Sequence, residues 1–295
     1  MREYFSEREL GKKVLESEEI SISVYNGIIT IYSKYKLGFS KEYPIYCDDF
    51  PNVVCGVNEG LIESMIEAYI PDLASQIHRL SEYDETPDKY AVLDFIEFVY
   101  ENLSDYDEYE PHSFMRHHHL SFPQTKELKE KFRGEINRLF ERNGIVFYLD
   151  VDGFVKRHLP LELDSLINSL YICTSDVRLN EMISSAIDGI KKPNESDRIY
   201  ALEKLWDAFE RMKTYYSEKK KQSTEQLIAH VSAGTDKFDE LLDEEFRKLT
   251  DIGNKYQIRH FEQDKIQIKS LKHIDYLFYR MIALINMCIK SINIF

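Results

Sequence analysis

The stretch 197–216 reads DRIYALEKLWDAFERMKTYY. Ile199, Leu202, Leu205 with Trp206, Phe209 and Met212 recur at steps of three and four, the period of one face of an α-helix. Such a stripe buries itself against partner helices, so a helical bundle is expected around it. Leu163–Tyr171, Asp176–Ile190, Thr224–Val231, Lys237–Ile258 and Leu271–Ile292 have the same character. Breakers such as Lys192-Pro193-Asn194 and Ser232-Ala233-Gly234 separate them. No repeat of fixed period runs through the chain.

Toward the N-terminus the pattern changes at GIVFYLDVDGFVKRHL, 144–159. Two β-prone runs there flank Asp152-Gly153, a dipeptide that supplies the positive φ of a tight turn, so Val146–His158 is expected to be a hairpin. Thr125–Asn143 before it reads as a helix with Leu128, Phe132, Ile136, Leu139 and Phe140 on one side and Asn143-Gly144 as its stop. Helix plus hairpin predicts a winged-helix-like element. Asp88–Leu103 and the run from Asn58 to Pro71 fit two more helices, and Ile20–Tyr35 is helical in pattern. YPIYCDDFPNVVCG (43–56) reads as loop, and DYDEYE (105–110) as a short acidic link into HSFMRHHHLSF (112–122). The fold class is therefore mainly α: an acidic N-terminal helical domain with a hairpin over 1–160, and a helical bundle over 161–295.

Length supports two domains, since single cores usually stop growing near about 250–300 residues and 295 is long for one. The chain is 43% hydrophobic and 31% charged, with 11 Gly and 8 Pro, which leaves little room for disordered linkers. Cys47, Cys55, Cys173 and Cys288 form no CxxC pair, and the N-terminus MREYFSEREL is charged, so a cytoplasmic location is expected. The most apolar run, Ile274–Ile294, carries Asp275, Arg280, Asn286 and Lys290, which reads as a buried helix rather than a membrane span. The net charge of −14 is uneven: 18 Lys and Arg face 32 Asp and Glu in 1–173, against 20 and 20 in 174–295. Nucleic acid is therefore expected to meet the C-terminal part through a local patch.

Chemistry is expected after the Lys237 helix, where Leu249, Ile252, Tyr256 and Arg259 fall 3, 4 and 3 apart. That spacing puts Arg259 on an apolar face, where it needs an anionic partner, protein or phosphate. ALEKLWDAFERMK (201–213), then IRH (258–260), then HIDYLFYRMIALINMCIKSI (273–292) resemble, in this order, the HEPN domains of abortive-infection (AbiJ-like) proteins, from about Thr174 to Phe295. The resemblance implies a HEPN-like domain that acts on RNA as a homodimer, in a phage-defence or toxin role. Family members that cut RNA carry the motif R-x4–6-H. Arg259 and His260 match its start, but positions 264–266 are Asp264, Lys265 and Ile266, so the distal histidine is missing. Cleavage without a metal needs a base for the 2′-hydroxyl and a cation for the phosphorane. That chemistry assigns Arg259 as cation and His260, an imidazole that titrates near neutrality, as base, with Glu262 catalytic beside them and Lys265 on the RNA. Arg and His at a helix end also oppose the helix dipole with no catalytic role. A non-catalytic HEPN-like module that binds RNA, a nucleotide or a protein stays open for the same reason as the missing histidine.

His112, Arg116, His117, His118 and His119 hold four of the nine histidines within eight residues. Three consecutive histidines cannot all face one metal from a regular element, though a loop could turn two of them inward with His112. A solvated or packing role is the expectation, with Arg116 and His118 as an accessory RNA contact and no metal. No cofactor is expected. Lys156, Arg157 and His158 on the hairpin are expected to pack, and Lys219-Lys220-Lys221 to lie in a solvated loop. The partners expected are RNA, a second copy and a regulatory protein, with no membrane. GxxxxGK[ST], GxGxxG and GxSxG are all absent, which removes the nucleotide-hydrolase, dinucleotide and α/β-hydrolase classes.

Overall fold

The computed structural model describes residues 3–73, 76–82, 84–235, 237–256, 258 and 265–292. It divides into two compact units, Met1–His158 and Leu159–Phe295. Each has its own hydrophobic core.

The first unit runs α1 (Phe5–Leu10), α2 (Ile22–Tyr35), β1 (Pro44–Tyr46), β2 (Val54–Val57), α3 (Glu59–Tyr69), α4 (Lys89–Asn102), β3 (Asp107–His112), β4 (His117–Ser121), α5 (Glu127–Asn143), β5 (Phe147–Leu149) and β6 (Val155–Arg157). The stripes of α2, α4 and α5 make the core, with Tyr32 edge-on to Phe95 and Tyr35 edge-on to Phe132. Ser21 caps α2 and Asp88 caps α4 with side-chain oxygens that accept from Val24 and Tyr90 N–H groups. The N-terminus of α5 is capped from a distance. Lys126 offers no side-chain cap, and the buried Asp105 carboxylate accepts instead from Glu127 N at 2.9 Å, Leu128 N at 2.6 Å and the Thr125 hydroxyl.

Gly144 ends α5 in the left-handed conformation, where the sequence places its stop. The β5–β6 hairpin follows. At its turn Gly153 has φ +87°, and a Cβ there would meet Tyr100 at 2.6 Å, so glycine is required twice over. Asn137 on α5 binds both N–H and C=O of Leu149 and fixes the hairpin on the helix. Its basic residues are engaged: Lys156 pairs with Asp150, and Arg157 is buried 3.6 Å from Glu18.

Two stretches differ from expectation. The loop-rich 43–56 contains the antiparallel β1–β2 pair, and the acidic link joins the histidine run as the antiparallel β3–β4 pair. Each is its own two-stranded sheet among the described residues.

The second unit is helical among its described residues: α6 (Leu161–Asn168), α7 (Val177–Ile190), α8 (Glu195–Met212), α9 (Lys220–Ser232), α10 (Phe238–Lys255) and α11 (Leu271–Ile292). The stripe of α8 is its centre, with Leu202, Leu205, Trp206, Phe209 and Met212 all buried. Trp206 lies on Gly253 of α10, where any Cβ would overlap the indole. No helix among the described residues is long and apolar enough to cross a membrane.

The helix α10 stops at Lys255, three residues earlier than its apolar spacing predicts. Tyr256 is extended and bridges to Ile266, whose N–H donates to Lys255 O at 2.9 Å. The helical phase of Leu249 and Ile252 therefore ends at Lys255, and Arg259 lies outside the described residues.

Candidate functional site

The densest gathering of metal-binding side chains among the described residues is on the β3–β4 hairpin. Strand alternation explains it: His117 and His119 on β4 share one side, and His118 points to the other. His112 is the cross-strand partner of His117. A register irregularity between Tyr109 and Pro111 and positive φ at Glu110 (+42°) and Arg116 (+56°) shape the hairpin around them. Two of the three consecutive histidines thus turn inward with His112, and a strand does it rather than a loop.

Cys47 joins them from the end of β1. Its N–H donates to Val53 O at 2.9 Å, which closes the β1–β2 loop and holds the thiol inward, 3% exposed. One donor atom from each of Cys47, His112, His117 and His119 lies within 4.8 Å of the other three. Cys47 Sγ is 3.5 Å from His112 Nδ1, and His112 Nε2 is 3.1 Å from Asp49 Oδ2. The Nε2 atoms of His117 and His119 are buried with no hydrogen-bond partner among the described residues. His119 Nδ1 lies 3.9 Å from Glu110. Phe50 sits edge-on to His112 and His119 at 5.7 and 5.4 Å and covers the cluster.

The sequence reading missed Cys47 because it lies 65 positions before His112, far outside finger spacing. A His-x-His pair on a strand after a third histidine was the available signal.

The other expected site residues are not brought together among the described residues. Arg259, His260 and Glu262 lie outside them. Lys265 is half-buried just before the Tyr256–Ile266 bridge. Arg116 is exposed in the turn between β3 and β4, and His118, half-exposed, has its Nδ1 3.2 Å from Glu108. Acidic residues surround that face, which opposes RNA phosphate. Beside Ile258 is a small recess lined by Glu195, Ile199, Leu202, Ile258, Gln267, Ile268 and Ile274, largely apolar.

Several cations among the described residues of the second unit are engaged by carboxylates. Arg198, fully buried on α8, donates to both Asp275 oxygens on α11 at 3.0 Å. Arg280 makes a two-pronged pair with Glu245 at 2.8 and 2.7 Å. Lys213 is buried 2.5 Å from Glu210 and donates to Thr250, and burial lowers its pKa against the pull of that carboxylate. Lys220, the middle of the lysine run, also pairs with Glu210.

Residues 3–171, more than half of the chain, match the family model described as AbiJ N-terminal domain 4. The match covers the first unit and α6 and ends before Thr174, so it does not cover the stretch that resembles HEPN domains. No curated protein and no solved structure matches the chain significantly.

Proposed function

The chain belongs to the AbiJ N-terminal domain 4 family, which sets it in an abortive-infection, phage-defence context, and we infer from that membership a two-part defence protein. The first unit senses or restrains. The second is a HEPN-like effector that acts on RNA as a pair of copies. The observation that carries this reading is the attachment of a separately cored helical bundle, Leu159–Phe295, to an abortive-infection N-terminal domain. In it Arg259 stabilises the phosphorane, His260 takes the 2′-hydroxyl proton, Glu262 assists, and Lys265 contacts the RNA backbone. Arg116 and His118, on the first unit, are a separate accessory RNA contact, weakened by Glu108 beside His118.

A second reading, a non-catalytic HEPN-like binding module, is favoured by two observations. The distal histidine is absent at 264–266, and the recess beside Ile258 has an apolar lining unlike a phosphate cradle. Incubating the purified full chain with RNA in chelator, beside Arg259→Ala and His260→Ala, separates the two. Cleavage by the wild type that both substitutions abolish supports the ribonuclease. Binding without cleavage supports the module, and equal cleavage by all three refutes the assigned site.

A further inference from the structure

We propose that Cys47, His112, His117 and His119 form a tetrahedral zinc site that ties the β1–β2 loop to the β3–β4 hairpin. Four observations converge on it.

The first is distance. With Zn–S near 2.3 Å and Zn–N near 2.0–2.1 Å, a tetrahedral angle separates sulfur and nitrogen by about 3.6 Å. Cys47 Sγ and His112 Nδ1 stand 3.5 Å apart. The second is the arrangement of the rings. The His112, His117 and His119 centroids are 5.1, 5.7 and 5.7 Å apart, a nearly regular triangle. Three imidazoles on one tetrahedral ion would place their centroids about 5.2 Å apart.

The third is the pair of orphaned nitrogens, His117 Nε2 and His119 Nε2. A buried polar atom without a partner is costly and calls for an ion or water. The fourth is the surrounding shell. His112 turns Nδ1 toward Cys47 while its Nε2 faces Asp49, an outer partner of the kind that orients a ligating imidazole. Glu110 stands on the outer side of His119 in the same sense.

A cysteine nucleophile activated by His112 and Asp49 would use the same thiol. It explains three groups and leaves both Nε2 atoms orphaned, and Cys47 is 3% exposed. The zinc site accounts for all of them. Four protein donors fill a tetrahedron and leave no open position, so the ion is structural rather than a carrier of reactive water. One sulfur with three imidazoles suits zinc better than magnesium or calcium, which take oxygen donors. The inference does not depend on the ribonuclease reading.

The test is the metal content of the untagged full chain by plasma mass spectrometry, after growth with zinc. One zinc per chain is expected, kept in Cys55→Ser and His118→Ala and lost in Cys47→Ser and His119→Ala. Substitution at a structural ligand can also prevent folding, so chelator-stripped wild type is titrated with cobalt(II) in parallel. Visible bands of four-coordinate cobalt with a near-ultraviolet thiolate band, saturating at one equivalent, support the site. Folded wild type that is zinc-free and gives no such spectrum overturns it, as does zinc retained by both Cys47→Ser and His119→Ala or present well below one per chain.

Discussion

Truncating Asp275 to alanine tests the centre of the second unit. Arg198 is fully buried and places two hydrogen bonds of 3.0 Å on the Asp275 carboxylate, which is itself only 12% exposed. Removing the acid leaves a guanidinium in the core, and breaking such a pair from one side costs about 3–5 kcal/mol. Unfolding entropy for a unit the size of Leu159–Phe295 is about 0.3 kcal/mol/K, so its midpoint falls by about 10–17 °C. The assay is built into the chain: its one tryptophan, Trp206, is buried in that core, so fluorescence follows this unit alone. Replacing both partners, Arg198→Met with Asp275→Leu, removes charge and counter-charge together and is expected within about 1–4 kcal/mol of wild type, on the stabilising side. A loss under about 1 kcal/mol for Asp275→Ala would refute the buried-charge reasoning. So would a double variant as unstable as the single one, since the cost would then lie in packing.

Gly253→Ala gains about 1 kcal/mol of helix propensity but drives its Cβ into the Trp206 indole, and overpacking of about 1–3 kcal/mol prevails; the expected readout is a lower midpoint with red-shifted emission, and unchanged emission would count against the contact. Asp105→Ala removes the remote cap of α5 and lowers first-unit stability by about 0.5–2 kcal/mol, measured by urea titration with far-ultraviolet circular dichroism. Burial pushes the Asp105 carboxyl up, but its hydrogen bonds from Thr125, Leu128 and Glu127 outweigh that and hold it below the usual range. Its contribution is thus full above about pH 4 and is lost as pH falls through the depressed folded value, so the acid limb of wild-type stability should flatten in the variant. Chelating zinc should lower first-unit stability by about 2.7 kcal/mol relative to free zinc a hundredfold above its Kd, while the Trp206 transition stays in place; an unmoved first-unit transition would argue against a structural ion.

The helices were legible because their cores are local patterns. Asp176 and Asn194 also cap α7 and α8 through their own side chains, a signal carried within three residues. The two missed hairpins carry no such pattern. All of β3 but His112 is exposed, and β1 is exposed or half-buried, so neither strand shows the alternation that marks a half-buried sheet. The early end of α10 was hidden for a related reason. Leu249, Ile252 and Tyr256 keep helical spacing in sequence, and it is the bridge from Ile266, ten residues on, that holds Tyr256 extended. The cap of α5 comes from Asp105, twenty-two residues before the N–H of Glu127.

The candidate site divides along the same line, and the arginine argument shows how. A charge on an apolar helix face demands a counter-charge, and that rule is obeyed in the second unit, though by Arg198 among the described residues. Arg198 stands in phase with Leu202, Leu205 and Phe209, while Asp275 stands in phase with Phe278 and Ile282, all buried. Each helix thus advertises one charge within its stripe, and pairing opposite signs across two stripes was possible from sequence alone. The histidines offered half as much. His-x-His on a strand predicts two inward nitrogens, but the sulfur that completes four donors comes from another hairpin and becomes visible only when β1 and β2 fold. An in-phase charge is therefore a fact about one helix, whereas a ligand set is a fact about which loops meet.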